Sequence, residues 1–290
     1  MKLGISGCIA IACLGMLAVA GTGFAQPAPD AEHRNSAGTV LITGANRGLG
    51  FHFAEQFAAG GWQVIATTRR PEQAQALRDL ADKYPNLVVE KLDITDDAEI
   101  ASLAEHYADQ PIDVLLNNAA RLGELSRQNF GALDFELFAE ILHTNVVGTL
   151  KVTQALLPNV TMSAQKKVVV MGSAAGSNAL GHDAPNLYAY RASKAALHFA
   201  TRHLAMEQQP RGVTVILLEP GFADSRGIMQ MNPADAPDQE TRELAEMVQK
   251  LGARMRDPAE SVAGMIEVIR SVTIEQTGQF LLFDGSQLPL

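Results

Sequence analysis

The sequence has few cysteines and no concentration of basic residues, and each absence excludes a class of protein. Its 290 residues contain two cysteines, Cys8 and Cys13, so a disulfide scaffold is excluded. The seven histidines show no metal-ligand spacing and no later cysteine could join them, so we expect no metal site. Acidic residues outnumber basic ones 32 to 23 and no run of Lys or Arg occurs, so we expect no nucleic-acid partner.

The N-terminus carries an export signal by its composition. Lys2 precedes an apolar stretch that runs to Ala20, and Gly23 and Ala25 are small residues at the positions a signal peptidase reads. We expect a signal peptide over residues 1–25 and a periplasmic or secreted protein. An uncleaved membrane anchor is the alternative, because the uncharged segment is long enough to span a bilayer.

After a polar, proline-containing tether at residues 26–38, the pattern predicts one α/β domain over residues 39–290. Short β-branched runs alternate with helical patterns such as the stripe Val262, Met265, Ile266 and Ile269. The alternation predicts a Rossmann-like, doubly wound, parallel seven-stranded sheet with helices on both faces. The seven runs are Val40–Ile42, Val64–Ile65, Leu87–Val89, Val114–Leu116, Val168–Val170, Val213–Leu218 and Phe280–Leu282.

A glycine-rich turn follows the first predicted strand and precedes a helical pattern. Glycines permit a tight turn and the close approach of backbone to a pyrophosphate, and the start of the helix offers free N–H groups. The alternative is an ordinary strand-to-helix loop. The candidate cofactor-binding residues in this turn are Gly44, Asn46, Arg47, Gly48, Leu49 and Gly50.

The second predicted strand ends without an acidic residue, which bears on the choice of cofactor. NAD-binding domains carry a carboxylate there for the ribose hydroxyls, whereas this chain has Thr67, Thr68 and Arg69. Arg69 and Arg47 can clamp a 2′-phosphate, so we expect NADP. Two solvated arginines are the alternative.

A tyrosine and a lysine four residues apart form the candidate acid. Tyr190 and Lys194 face the same way on a helix, and we expect the ammonium to lower the phenol's pKa. Tyr190 would then give a proton to a carbonyl oxygen. Ser173, just after the fifth strand, would hydrogen-bond that oxygen. Its surroundings do not match a nucleophile elbow, which excludes a serine hydrolase.

Asn145 is the fourth candidate catalytic residue. It lies in a predicted long helix whose Phe138, Leu142 and Thr149 suggest an apolar stripe, where an amide is costly unless it has partners. A core asparagine satisfied by backbone groups is the alternative.

These motifs together resemble the short-chain dehydrogenase/reductase family. The glycine spacing, the order Asn145, Ser173, Tyr190, Lys194, and the segments Asn117–Ala120 and Pro220–Ser225 are all similar to that family's. The resemblance covers Thr39–Leu290. Within the family, the segment Tyr188–Leu197 and the ending Phe283–Ser286 look most like the sniffer and C-factor group of carbonyl reductases.

The resemblance implies roles for residues that the pattern alone does not assign. It places Asp93 and Ile94 beside the adenine, and Pro220, Gly221 and Ser225 at the nicotinamide, and it makes Asn145 distort its helix and hold a water. Asn118 and Ala119 would also contact the cofactor. Tyr190 and Lys194 would serve both catalysis and cofactor binding, and the protein would be a homodimer or homotetramer.

The implied activity is NADP-dependent hydride transfer on a small carbonyl or alcohol substrate. A C-factor-like signalling protein with little catalysis is the rival hypothesis, while a sugar-nucleotide epimerase is disfavoured by the glycine spacing. Ala120 departs from the family's final glycine, and the insert before Tyr190 is long, with His182, Asp183 and Pro185. We interpret Phe222–Gln239 as a mobile substrate lid.

Overall fold

The computed structural model describes residues 37–180 and 186–290, and an eight-stranded sheet forms its centre. The strands are β1 (Thr39–Ile42), β2 (Gln63–Thr68), β3 (Leu87–Lys91), β4 (Val114–Asn117), β5 (Lys167–Met171), β6 (Thr214–Glu219), β7 (Phe280–Leu282) and β8 (Gln287–Leu288). Their order across the sheet is β3-β2-β1-β4-β5-β6-β7-β8. The helices are α1 (Gly48–Ala59), α2 (Gln75–Lys83), α3 (Asp97–His106), α4 (Phe135–Leu142), α5 (Thr149–Met162), α6 (Tyr188–Gln208), α7 (Gln239–Leu251) and α8 (Pro258–Ser271), with a π-helical segment, His143–Gly148, between α4 and α5.

The predicted parallel sheet is confirmed, but the predicted number of strands is wrong by one. All seven β-branched runs form strands, and every pairing among these seven strands is parallel. The eighth strand pairs antiparallel with β7 through Phe280 and Leu281. It is only two residues long, Gln287 and Leu288, which is too short to produce a hydrophobic pattern in the sequence.

Both faces of the sheet are covered, as a doubly wound fold requires. Side chains alternate along β1, so Val40 and Ile42 join a core with α1 and α8 while Leu41 joins a second core with α3 and α5. The stripe predicted for α8 is fully buried in the first of these cores. The β-branched strands are apolar on both faces for this reason.

The strand order brings the candidate residues together at the carboxyl ends of the parallel strands. The chain builds β1, β2 and β3 outward and then returns to β4 on the other side of β1. Such a reversal leaves a crevice at the carboxyl ends of the strands. The segments that leave the sheet at these carboxyl ends follow Ile42, Asn117, Met171 and Glu219.

The folded domain begins slightly before the predicted boundary. The Ala37 N–H donates to the Gly61 carbonyl at 3.3 Å, and the Gln165 amide donates to the Ala37 carbonyl at 3.1 Å. The end of the predicted tether therefore belongs to the fold. The predicted leader and the rest of the tether lie outside the described residues. Among the helices of residues 37–180 and 186–290, none is both long and apolar enough to cross a membrane.

Candidate active site

The glycine turn has the backbone shape that was predicted for it. Gly44 and Gly48 have positive φ angles of 68° and 57°, which disfavour other residues. A Cβ on Gly50 would lie 2.3 Å from the Gly44 carbonyl oxygen, so only glycine fits. Arg47 precedes α1 without a capping hydrogen bond from its side chain, which leaves the first N–H groups of α1 available to an anion.

Asn118 and Ala119 hold this turn from the neighbouring strand. The Asn118 amide donates to the carbonyls of Thr43 and Gly44 at 2.9 and 3.1 Å. The backbone N–H groups of Asn118 and Ala119 donate to the Thr43 hydroxyl at 2.9 and 3.0 Å. Asn118 therefore acts first on the protein itself: it fixes the turn from which a dinucleotide would be bound.

The end of β2 presents a cationic corner. The Arg69 side chain is exposed and makes no hydrogen bond or ion pair with any described residue. Arg70 is also exposed, and its guanidinium donates to the Gln73 side chain at 3.4 Å. A free guanidinium at this position fits a phosphate better than it fits ribose hydroxyls.

Asp93 has a local partner that the sequence did not assign to it. Its carboxylate accepts from the backbone N–H and the hydroxyl of Thr95 at 2.9 and 2.7 Å. Asp96 caps α3 by accepting from the N–H groups of Ala98 and Glu99. Asp93 and Ile94 line the crevice beside the cationic corner.

Tyr190 and Lys194 lie on the first turns of α6, and Ser173 faces them from the end of β5. The Ser173 side chain lies close enough to the Tyr190 phenol to lower its pKa. The Lys194 ammonium donates to the Met171 carbonyl at 2.8 Å and lies 5.8 Å from the centre of the Tyr190 ring. Three of the four predicted catalytic residues are thus brought together.

The pKa of Tyr190 changes in the opposite direction to the one predicted. Burial raises the pKa of Tyr190 to about 12, because the charged phenolate loses water; the Ser173 hydrogen bond lowers it and the Glu219 carboxylate raises it. Burial lowers the pKa of Lys194 to about 8, and Glu219 opposes that change. The spacing in the sequence shows that Lys194 is near Tyr190, but it does not show how far Tyr190 is desolvated. Desolvation has the largest effect on the pKa of Tyr190.

Asn145 lies in the π-helical segment, so the predicted distortion of its helix is present. Its side-chain amide pairs with both backbone groups of Arg121, at 2.7 and 2.9 Å, and donates to the Ser193 hydroxyl at 3.0 Å. These contacts match the alternative of a core asparagine satisfied mainly by backbone. On α4 the buried residues are Leu137 and Ile141, rather than the predicted Phe138 and Leu142.

One continuous cleft of about 1120 Å³ joins the glycine turn to Tyr190 and Lys194. Three predicted residues do not line it: Ser173 acts on the Tyr190 phenol, the Gly221 N–H is bound by the Glu219 carboxylate, and Asn145 donates to Ser193. Residues 181–185 of the insert, with His182, Asp183 and Pro185, lie outside the described residues. The predicted residues that line the cleft directly are Gly44, Asn46, Arg47, Gly48, Leu49, Gly50, Arg69, Asp93, Ile94, Asn118, Ala119, Tyr190, Lys194, Pro220 and Ser225.

Two features of the cleft were not predicted. Gln128 is fully buried, and its side-chain oxygen accepts from the Tyr190 backbone N–H at 3.0 Å. This bond caps the N-terminus of α6, where Leu187 has no side chain that could do so. Arg226, on the predicted lid, pairs with Glu240 and donates to the Thr241 hydroxyl at 2.8 Å. A lone glutamine gives no sequence signal for a contact 62 residues away.

The predicted lid contains two short 3₁₀ turns and then α7. Ser225 packs against the glycine turn, since a Cβ on Gly48 would lie 2.7 Å from the Ser225 carbonyl oxygen. Phe222 and Met229 are about half exposed, at 48% and 45%. The mobility of this segment remains a prediction.

The strand order and the cleft define a dinucleotide-binding α/β domain. The short chain dehydrogenase family model matches residues 38–236, and the chain belongs to this family of oxidoreductases.

Relatives and solved structures agree with that assignment. C-signal of Myxococcus xanthus is 31% identical over 188 residues, which cover 65% of this chain and 98% of the relative. The carbonyl reductase Sniffer of D. melanogaster superposes with a TM-score of 0.73 at 26% identity, over 88% of this chain and 99% of that one. An NADPH-bound carbonyl reductase from chicken fatty liver superposes with a TM-score of 0.72 at 28% identity, over 88% of this chain and 95% of that one.

Proposed function

We propose that the protein reduces a small carbonyl compound with NADPH, or oxidises the corresponding alcohol with NADP, using Tyr190 as the proton donor and acceptor. The observation that carries the proposal is that Tyr190 and Lys194 both line the cleft, with the Lys194 ammonium 5.8 Å from the Tyr190 ring and Ser173 close enough to the phenol to lower its pKa. The relatives named as carbonyl reductases support this reaction class.

The cleft fits the cofactor in two places. The glycine turn and the start of α1 match a pyrophosphate in shape and polarity. The unpaired Arg69 and the nearby Arg47 match a 2′-phosphate. NADPH would supply the hydride to the carbonyl carbon.

The side chains at the inner end would manage the proton. With its pKa near 12, Tyr190 stays protonated at neutral pH and can donate to the carbonyl oxygen. Ser173 would hydrogen-bond the same oxygen, and the Lys194 ammonium would stabilise the phenolate that remains. Asn145 would keep α6 in register through Ser193.

We expect Arg69→Ala to separate the two nicotinamide cofactors. Loss of the guanidinium removes a charge-assisted contact with the 2′-phosphate, so the Kd for NADPH should rise on the order of tenfold or more. The Kd for NADH should hardly change. Fluorescence titration of both cofactors measures this difference.

Arg70→Ala is the matched control, because Arg70 is the adjacent, equally exposed arginine. It should alter neither Kd by more than about twofold. Equal affinities for NADPH and NADH in the unmodified protein would refute the 2′-phosphate clamp.

We expect the reduction rate to fall in alkaline solution. Lys194 is charged below its pKa of about 8 and loses its proton above it, so stabilisation of the phenolate is lost as the pH rises through 8. A profile of kcat/KM should therefore be flat near neutrality and decline above about pH 8. A profile that stays flat to about pH 10 would contradict this role.

We propose a homodimer formed through the exposed face of α6. Phe199 and Met206 are both 69% exposed and lie seven residues apart, on one side of the helix. We expect Phe199→Asp to give a monomer by light scattering. Phe130→Asp, at a residue that is 80% exposed in a loop, should leave the dimer intact; a monomeric unmodified protein would overturn the proposal.

We also propose export of this domain, on the strength of the apolar leader at residues 1–25. The similarity to C-signal keeps a signalling role as the second candidate. The close arrangement of Ser173, Tyr190 and Lys194 favours the enzyme, because a binding protein has no need of a phenol beside an ammonium in its cleft.

A further inference from the structure

Two buried side chains accept successive backbone N–H groups at the catalytic serine. The Ser173 N–H donates to His198 Nε2 at 3.2 Å, and the Ala174 N–H donates to Glu219 Oε2 at 2.5 Å. His198 lies on α6, one turn beyond Lys194, and Glu219 is the last residue of β6. Their exposed fractions are 3% and 7%.

These two acceptors fix the segment that carries the Ser173 hydroxyl. Ser173 is extended, with φ −159° and ψ 135°, and it leads from β5 into the 3₁₀ turn Ala174–Gly176. An N–H group buried here without an acceptor would cost about 1–3 kcal/mol. The backbone therefore stays where both acceptors can reach it, and the Ser173 hydroxyl accepts from the Ala175 N–H at 3.2 Å and stays near the Tyr190 phenol.

The chemistry of His198 suits a permanent acceptor. Nε2 can accept only when it carries no proton, so the proton must lie on Nδ1, which is buried without a partner among the described residues. Burial, with a smaller effect of the Lys194 charge, lowers the pKa of His198 to about 4. The ring packs against Phe280 at 4.7 Å between centres, and Gly172 lies close to Nε2.

We propose that His198 and Glu219 are positioning residues for the reduction, which hold the Ser173–Ala174 backbone so that the Ser173 hydroxyl meets the substrate oxygen. The proposal rests on the function proposed above. It gives a purpose to a histidine and a glutamate that do not line the cleft.

A double-mutant cycle separates positioning from general stability. His198→Phe keeps a ring against Phe280 but removes the acceptor, and we expect kcat to fall about tenfold with an unchanged Kd for NADPH. His198→Gln, which restores an acceptor near the Nε2 position, should recover part of the loss. In a Ser173→Ala background His198→Phe should cost less than about twofold, because its effect acts through the hydroxyl.

Glu219 is tested in the same way. Glu219→Gln and Glu219→Leu both remove the charge that acts on Tyr190 and Lys194, but only Glu219→Gln keeps an oxygen acceptor for the Ala174 N–H. We therefore expect Glu219→Leu to have the lower kcat of the two, and this difference should disappear in the Ser173→Ala background. His203→Phe is the matched control on the same helix: His203 is exposed, and its hydrogen bond and its ring contact are with Phe199 rather than with the Ser173–Ala174 backbone. Equal losses with and without the Ser173 hydroxyl would overturn the proposal.

Amide hydrogen exchange on the full chain decides the proposal even if no carbonyl is reduced. We expect His198→Phe and Glu219→Leu to accelerate exchange at residues 172–176 while α1 remains protected. If exchange accelerates in the variants but the unmodified protein reduces no carbonyl, the positioning contacts stand and the proposed reductase activity is refuted. Unchanged exchange in both variants would overturn the positioning, whatever the activity.

Discussion

Tyr190→Phe is expected to abolish carbonyl reduction while leaving NADPH binding nearly intact. The substitution removes only the phenolic oxygen, which is the proton donor of the proposed reaction. The ring keeps its packing and its place 5.8 Å from the Lys194 ammonium. Turnover should fall by at least about a thousandfold, the scale of losing a positioned general acid.

Tyr188 provides the internal control for this result. It lies on the same helix two residues earlier, is 41% exposed, and packs against the Phe130 ring rather than Ser173. Tyr188→Phe should retain most of the turnover. Near-normal turnover in Tyr190→Phe with loss in Tyr188→Phe would show that the wrong phenol has been assigned.

Gly50→Ala is expected to destroy the cofactor site from the other end of the cleft. The new Cβ would lie 2.3 Å from the Gly44 carbonyl oxygen and 2.6 Å from the Asn118 amide nitrogen, so the turn must open. Overpacking of this kind costs about 1–3 kcal/mol, and we expect NADPH binding to weaken by up to about a hundredfold. Calorimetric titration with NADPH measures the loss.

Gly60→Ala is the control at the opposite end of α1. Its φ of −81° suits alanine, and the nearest atom to the new Cβ is the end of the flexible Arg270 side chain. NADPH affinity should be unchanged there. If both variants bound NADPH equally well, the glycine turn would not be the pyrophosphate site.

The sequence predicted the elements better than it predicted the contacts between them. The β-branched runs identified seven strands because strands buried on both faces must be apolar throughout. β8 was missed because two residues, Gln287 and Leu288, carry no periodicity. The buried face around Asn145 was misplaced because a π-helical segment changes the residues that share a side.

The candidate site shows the same division. Most of the motif residues line one cleft, because they follow the end of a strand or begin a helix, but Asn145, Ser173 and Gly221 do not line it. Gln128, His198 and Glu219 were not predicted, because their roles depend on partners distant in the chain. The direction of the Tyr190 pKa was wrong because burial is a property of the packed fold and leaves no local pattern.

The central claim is hydride transfer from NADPH to a carbonyl carbon in the cleft that ends at Tyr190. It is tested most directly with NADPH labelled by deuterium at the carbon that donates the hydride, incubated with the domain and a panel of aldehydes and ketones. The account predicts that the label appears on the carbinol carbon of at least one product, and that Tyr190→Phe prevents this. Tight NADPH binding without label in any product would contradict it.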